Sequence, residues 1–405
     1  MPVLLIGTLD TKGVELQFVR DLLRAAGLDT LVLDAGVLGP PYFAPDVARE
    51  EVYAAAGTSC AALRQAADRG RAVAAAAEGA ARLAADLHAR GRVDGALALG
   101  GSAGTTIGTA AMRALPFGVP KLMVSTLASG QVRPYVGVRD VLMMNSVVDI
   151  SGLNRISRRV LANAAGAMIG MVRGPALTLT EAGDKPLVTA TMFGVTTPCV
   201  EAARRVMEAN AYEVLVFHAT GVGGLTMESF VRDGLIAGVL DVTTTELADE
   251  LVGGVLSAGR DRLTAAGLCG VPQVISLGAL DMVNFGPPET VPERFRGRRF
   301  YQHNPTVTLM RTTPEENDAL GKEIALKASA ARGPVAVLVP RRGVSALDAE
   351  GQLFWWPEAD EALFKSLRLW MSPHVRLVEL DLHVNDPAFA AEAARLLLAM
   401  LPRRS

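Results

Sequence analysis

The residues best able to do chemistry in this sequence sit in short runs of glycine, hydroxyl and charge, and the first is Gly7-Thr8-Leu9-Asp10-Thr11-Lys12-Gly13. It joins the apolar run Val3 to Ile6 to an amphipathic stretch. In an open α/β sheet, ligands gather beyond the carboxyl ends of the strands. Free amides at the start of a helix bind an anion, Thr8 and Thr11 donate hydroxyls, and Lys12 brings a positive charge. The plainer reading is that Asp10 or Thr11 caps the helix while Lys12 is solvated. Asp34 ends the second apolar run, where an acid either accepts from a ribose hydroxyl or is an exposed turn residue.

The run ranked first is Leu99-Gly100-Gly101-Ser102-Ala103-Gly104-Thr105-Thr106. Gly100, Gly101 and Gly104 let backbone approach a phosphate, while Ser102, Thr105 and Thr106 offer hydroxyls beside a helix N-terminus. No Gly-Lys-Ser/Thr follows at the Walker spacing, so P-loop hydrolysis of ATP is not implied. A tight turn packed for steric reasons is the alternative. Ser125 and Thr126, after the next strand, and the run Asp149 to Asn154 supply further hydroxyls for the same crevice, although Ser151 and Asn154 also suit helix capping.

In the second half, Phe217-His218-Ala219-Thr220-Gly221-Val222-Gly223-Gly224 leads from a strand towards Glu228. Gly221-x-Gly223 with Asp241 about twenty residues on is a partial dinucleotide fingerprint, defective because Thr226 takes the third glycine position. His218 reads as an acid, a base or a ligand partner oriented by Glu228, against a satisfied structural histidine. Thr220, Gly221 and Gly223 then face a small substrate. Asp241-Val242-Thr243-Thr244-Thr245-Glu246 has capping-box spacing from Thr243 to Glu246. Asn284, His303 and Asn304 fall in the stretch Gly278 to Met310, which has no long period, and long irregular segments in α/β domains are commonly functional. Asp381 and His383 precede the last helix. Together with His218 and His303 they make an acid/base or metal cluster only if the fold converges them, so no metal ligand is assigned.

These runs need a scaffold of strands and covering helices. Apolar runs alternate with amphipathic stretches from end to end, the pattern of parallel sheets built by crossovers. The first half reads as strands Val3 to Ile6, Thr30 to Leu33, Gly95 to Leu99 and Lys121 to Val124. Its helices are Val14 to Ala26, one Ala-rich stretch from about Ala61 to Ala89, and Asn154 to Val172. Gly183-Asp184-Lys185-Pro186 combines turn formers just before the strand Leu187 to Ala190 and sets the boundary between domains 1–184 and 185–405. Five further strands and five helices repeat the scheme. The fold class is α/β, with two Rossmann-like domains, each a mostly parallel sheet flanked by helices, and a cleft between them.

The chain of 405 residues suits two domains of about 200 residues each. Its 40 Lys and Arg against 42 Asp and Glu give a net charge of -2, with no excess cation for a nucleic-acid backbone or an anionic membrane. The start, Met-Pro-Val-Leu-Leu-Ile-Gly, lacks a signal peptide's basic region and no apolar run reaches a span, so the expected compartment is the cytoplasm. Cys60, Cys199 and Cys269 show no CxxC spacing and read as small core residues.

Taken together, the first two runs, Phe193-Gly194-Val195-Thr196-Thr197-Pro198-Cys199, Phe217 to Gly221, Asp241 to Glu246 and Tyr301-Gln302-His303-Asn304-Pro305 resemble the Tm-one-like ATP-binding family. That uncharacterised family includes the N-terminal domain of the tomato mosaic virus resistance protein. The resemblance covers essentially the whole chain. It implies two Rossmann-like subdomains, ATP binding and a homodimer, and for some bacterial members a TIM-barrel partner. The antiviral role of the plant relative is not carried over. Ala103 departs from the family's preferred glycine in the Gly-Gly-Ser-Gly-Gly-Thr loop, at little cost in volume.

Two functions follow. One is an enzyme that holds ATP or a related nucleotide, with magnesium, at the first-domain loops and presents His218, Glu228 and His303 to a small organic acid or carbonyl substrate in the cleft. The other is a binding module without turnover, in which the nucleotide gates a dimer. An NAD-type oxidoreductase, resting on Gly221-x-Gly223, ranks third.

Overall fold

The computed structural model describes residues 2–174 and 184–402, and Gly183 of the boundary turn lies outside them. The chain divides into two compact units, Met1–Leu179 and Thr180–Ser405.

In the first unit the elements run β1 (Pro2–Gly7), α1 (Leu9–Ala25), β2 (Asp29–Asp34), α2 (Arg49–Ala55), α3 (Cys60–Ala66) and α4 (Arg69–Ala89). They continue with β3 (Gly95–Gly100), α5 (Ser102–Arg113), β4 (Lys121–Ser125), α6 (Arg133–Val136), β5 (Leu142–Asn145) and α7 (Arg155–Arg173). All strand pairs are parallel and the sheet order is β2-β1-β3-β4-β5. Both faces are covered, as a parallel sheet requires. Alternation along β1 divides the core: Leu4 and Ile6 pack towards α4 and α5, while Val3 and Leu5 pack towards α1 and α7. The connections leave β1 and β3 in opposite directions, which makes the gap between those two strands the switch point of the sheet.

The single Ala-rich helix expected over Ala61 to Ala89 is two helices. Ala67 adopts a left-handed φ of 50°, and the Asp68 carboxylate accepts from the Arg71 amide to start α4. Alanine is permissive enough that a continuous helix reads equally well from the sequence.

The second unit contains β6 (Leu187–Met192), α8 (Thr197–Ala209), β7 (Glu213–His218), α9 (Val222–Arg232), β8 (Gly238–Thr243), α10 (Thr245–Val252) and α11 (Ala265–Cys269). Then come β9 (Gln273–Gly278), β10 (Met282–Phe285), β11 (Phe300–Asn304), β12 (Val307–Arg311) and α12 (Pro314–Ser329). The last elements are β13 (Val335–Pro340), α13 (Pro357–Trp370), β14 (Arg376–Leu380) and α14 (Pro387–Met400). Six parallel strands lie in the order β14-β13-β9-β8-β6-β7. Ala336 and Leu338 of β13 face α8 and α14, while Val335, Val337 and Val339 face α12 and α13. The stretch without a period is largely a second, antiparallel sheet, β10-β12-β11. Both units are doubly wound Rossmann-like α/β domains.

Helix α4 meets α2 through Gly79, where an added Cβ would lie 1.9 Å from the Val52 carbonyl oxygen. Gly79→Ala should therefore destabilise the first domain by about 1–3 kcal/mol, although alanine is the better helix former by about 1 kcal/mol. Thermal unfolding followed by circular dichroism tests this, and an unchanged or raised melting temperature contradicts the packing.

Candidate functional site

A cavity of about 820 Å³ opens at the carboxyl ends of β1 and β3, within the size range of small-ligand sites. Its polar end is formed by the starts of α1 and α5: Thr8, Asp10, Thr11 and Lys12 from one, Gly101, Ser102, Ala103 and Gly104 from the other. The amides of Ser102, Ala103 and Gly104 have no hydrogen-bond partner among the described residues, as the first turn of a helix leaves them. Lys12 Nζ donates to the Ile150 carbonyl, next to Asp149 in the same wall. The other end is apolar, with Leu63 of α3, Ala72, Val73 and Ala76 of α4, and Ile107 of α5. Arg64 and Arg69 stand at its exposed rim.

The three loop glycines have different work. A Cβ on Gly100 would lie 2.8 Å from Gly104 Cα, and one on Gly104 would lie 3.1 Å from the Leu99 carbonyl oxygen, so this pair lets strand and helix meet closely. At Gly101 the nearest atom is Thr126 Oγ1 at 3.7 Å, an ordinary contact that leaves room for a side chain.

Several residues expected to touch ligand are held by the protein instead. Asp34 is fully buried: Oδ1 accepts from the amides of Leu9 and Gly36 at 2.9 Å each, and Oδ2 accepts from Arg49 Nε at 2.7 Å. It fixes the start of α1 and is closed to a ribose. Thr105 Oγ1 donates to the Gly101 carbonyl at 2.8 Å and meets Ser125 Oγ at 2.7 Å, so both buried hydroxyls tie the loop to β4. Thr105, Ser125 and Thr126 do not line the cavity. Asp10 does, although its Oδ2 also accepts from the Leu38 and Gly39 amides at 2.8 and 3.3 Å.

In the second unit the glycine turn at the start of α9 is already filled by an anion from within. Glu246 Oε1 accepts from the Gly221 and Gly224 amides at 2.7 and 3.0 Å, and its Oε2 pairs with Arg262 Nε at 2.7 Å. Gly221 needs its φ of 82°, and a Cβ on Gly223 would lie 1.7 Å from the His218 carbonyl oxygen, so these glycines serve the turn. Asp241 is paired with Arg262 at 2.5 Å, which removes the acid of the dinucleotide fingerprint. Neither an NAD pyrophosphate nor a substrate meets free amides at Gly221 and Gly224.

Glu228 does not orient His218. Its two carboxylate oxygens accept from the Leu263 and Ala265 amides at 2.6 and 2.7 Å. Burial raises its pKa, opposed by the nearby Arg262 guanidinium. Asn284 is wholly buried and donates to Asp249 Oδ2 at 2.7 Å, so it is not a substrate contact. His303 is exposed on β11, and Asn304 closes the hairpin by accepting from the Thr306 amide at 2.8 Å. His218 is exposed at the end of β7 with no side-chain partner among the described residues, and the Thr220 hydroxyl bonds back to its carbonyl at 3.4 Å. His383 is held by the protein: its Nε2 donates to the Ser345 carbonyl at 2.9 Å and its Nδ1 accepts from the Asn385 amide at 3.1 Å. Among the described residues, no three His, Cys, Asp or Glu side chains come together to hold a metal ion.

Sequence reasoning missed Arg49, the α3 and α4 wall, and a buried acid cluster. The one available signal for the wall was Asp68-Arg69-Gly70, a cap sequence inside the alanine run. The cluster surrounds buried Arg311, whose Nη2 meets Asp360 at 2.6 Å and Asp348 at 3.5 Å, while Ser345 donates to Asp281 at 2.7 Å. Oδ1 of Asp281 and of Asp348 accept no hydrogen bond among the described residues, although Asp348 Oδ1 is the atom 3.5 Å from Arg311.

A doubly wound pair of domains with an amphipathic cavity at one switch point defines a class, the Rossmann-like α/β proteins with a cavity at their strand ends. Within that class the chain belongs to the uncharacterised protein family UPF0261, matching its N-terminal domain over residues 1–176 and its C-terminal domain over 185–401. It is 51% identical over 402 residues to a UPF0261 protein of Clostridium tetani, covering 99% of each chain. It is 46% identical over 314 residues to the ToMV resistance protein Tm-1 of Solanum lycopersicum, covering 76% of this chain and 42% of that protein. Among solved structures, the UDP-GlcNAc 2-epimerase of Methanocaldococcus jannaschii aligns over 98% of this chain and 93% of its own at 9% identity, with a TM-score of 0.25.

The acid groups of the second domain give a pH dependence with a definite sign. Burial pushes Asp249 up to about 7, and burial together with Asp348 raises Asp281 and Asp360. The folded state thus holds protons that the unfolded chain releases above about pH 4, so this contribution is full at low pH and is lost as pH rises to neutrality and beyond. Unfolding free energy should fall by roughly 2 kcal/mol or more from pH 5 to 8. Asp281→Asn should recover about 1 kcal/mol at pH 8 and change little at pH 5. All three tryptophans, Trp355, Trp356 and Trp370, lie in this domain, so urea titrations followed by fluorescence read it directly. A flat profile, or an Asp281→Asn chain weakened equally at both pH values, refutes the assignment.

Proposed function

We propose that the first domain binds a nucleoside phosphate of the ATP type at the β1/β3 switch point. The observation that carries this reading is the cavity's division. Three unpartnered amides at the start of α5 and the ammonium of Lys12 offer an anion site at one end, and a slot of alanine, valine, leucine and isoleucine side chains suits a planar base at the other. The phosphates lie along the α5 amides and the base enters between α4 and α5. The fullest form of the reading is a protein that binds the nucleotide without P-loop hydrolysis, in a homodimer, with a TIM-barrel protein as a further partner.

A second reading, an enzyme acting on a small organic acid or carbonyl compound, is favoured by His218. Its unpartnered, exposed imidazole stands where a parallel sheet presents side chains to ligands. Glu228 and Asn284 drop out of that reading because both are consumed inside the protein.

Gly101→Val is the cleaner test of the nucleotide site, because Gly101 lines the cavity and has room for a Cβ, whereas Gly104→Val presses on the Leu99 carbonyl and disturbs the turn. The substitution should weaken ATP at least tenfold, about 1.4 kcal/mol, at an unchanged melting temperature. Calorimetric titration of ATP and adenosine reads the effect, and unaltered ATP affinity in folded Gly101→Val protein removes this loop from the site.

A further inference from the structure

Resting on the nucleotide reading above, a difficulty appears at the polar end of the cavity. Asp10 and Asp149 line the same wall as the α5 amides and Lys12. Asp34 is paired with Arg49, Lys12 is tied to the Ile150 carbonyl, and Arg64 and Arg69 stand at the rim. Arg49 is committed: Nε is 2.7 Å from Asp34, Nη1 donates to the Gly39 carbonyl at 2.6 Å, and Nη1 is 3.7 Å from Asp10 Oδ2. Polyphosphate reaching the α5 amides meets the carboxylates of Asp10 and Asp149 in the same wall.

The two lining carboxylates keep oxygens to spare. Asp10 is almost fully buried, yet only its Oδ2 accepts hydrogen bonds, from Leu38 and Gly39. Its Oδ1 has no hydrogen bond and is not sealed in the interior. Asp149 is exposed, and only its Oδ1 is used, by the adjacent Ile150 amide at 2.9 Å. Because Lys12 reaches from α1 to the Ile150 carbonyl, the segment carrying Asp149 is held against the start of α1, where Asp10 sits. The Thr8 and Thr11 hydroxyls, 2.5 Å apart, add neutral oxygens to the same corner.

We propose that Asp10 and Asp149 hold a divalent cation jointly with the phosphate oxygens of the nucleotide. Magnesium fits: it takes oxygen ligands, keeps several waters, and is commonly bound through one or two carboxylates plus substrate phosphates, with no cage supplied wholly by protein. The cation enters with the nucleotide and converts a repulsive wall into a binding one.

The test is calorimetric titration of ATP into the full-length chain, in EDTA and in excess magnesium, for the wild type, Asp149→Asn and Asp10→Asn, with melting temperatures as the folding control. Magnesium should tighten ATP at least tenfold in the wild type. In Asp149→Asn that increment should shrink below about threefold, while ATP in EDTA binds as well as in the wild type or better, because a repelling charge is gone. Asp10→Asn, which keeps an oxygen for the Leu38 amide, should show the same pattern, and adenosine should ignore magnesium in every variant. ATP affinity indifferent to magnesium in the wild type, or a full increment surviving in Asp149→Asn, overturns the cation site and leaves the nucleotide site standing. Failure of ATP to bind in either buffer overturns the nucleotide reading and the cation with it.

Discussion

The ion pair between Asp34 and Arg49 is the constraint on which the first domain's cavity depends. One buried carboxylate takes the first amide of α1, the amide of Gly36 just past β2, and the guanidinium that begins α2. A charge without water is tolerated only when it is paired and hydrogen-bonded, and here every contact comes from an element bordering the cavity. The pair sets where α1 begins, and so where Thr8, Asp10, Thr11 and Lys12 stand. It also holds the 36–39 loop close enough for its amides to reach Asp10.

The second domain uses the same device to the opposite end. Glu246 and Arg262 form the corresponding buried pair, but the carboxylate lies against the glycine turn and consumes the amides that a phosphate would need. Asp241 and Glu228 complete the set around Arg262, at 2.5 and 3.5 Å. Asp34 takes an amide at the start of α1 and leaves those at the start of α5 free, whereas Glu246 takes those at the start of α9. Two domains of like topology therefore differ in which helix-start amides are free.

How much of this could be read from the sequence depends on which interactions are local. Strands such as Val3 to Ile6 and Gly95 to Leu99 are legible because a parallel strand covered on both faces is a continuous apolar run. Edge strand β5, with the short apolar run Val141 to Met144, is less legible because a run of that length does not separate strand from helix. The cavity's polar end was legible as two glycine and hydroxyl runs at strand ends, since each lies within a few residues of chain. Its apolar end was not, because the break at Ala67 depends on one left-handed residue without glycine or proline to announce it. Asp34 and Glu228 were misread for a related reason. A carboxylate at a strand end or on a helix looks the same whether it faces ligand or an arginine placed 15 or more residues along the chain, and only tertiary structure decides.

That ambiguity bears on the motifs that mark the family. Thr243 of the run Asp241 to Glu246 bonds Thr196 of the run Phe193 to Cys199 at 2.7 Å, its amide donates to Thr191 Oγ1 at 2.9 Å, and Thr244 donates to the Ser276 carbonyl at 3.0 Å. These hydroxyls stitch β6, β8 and β9 together at the second sheet's own switch point, where the first sheet has an open cavity. Buried polar networks of this kind are costly to satisfy in part, so each member constrains its neighbours' identity as strictly as a reaction would. A run of threonines and acids at strand ends can thus carry the family signature for reasons of architecture, and the residues left to vary in function are the ones with spare donors and acceptors: the α5 amides, Asp10, Asp149 and His218.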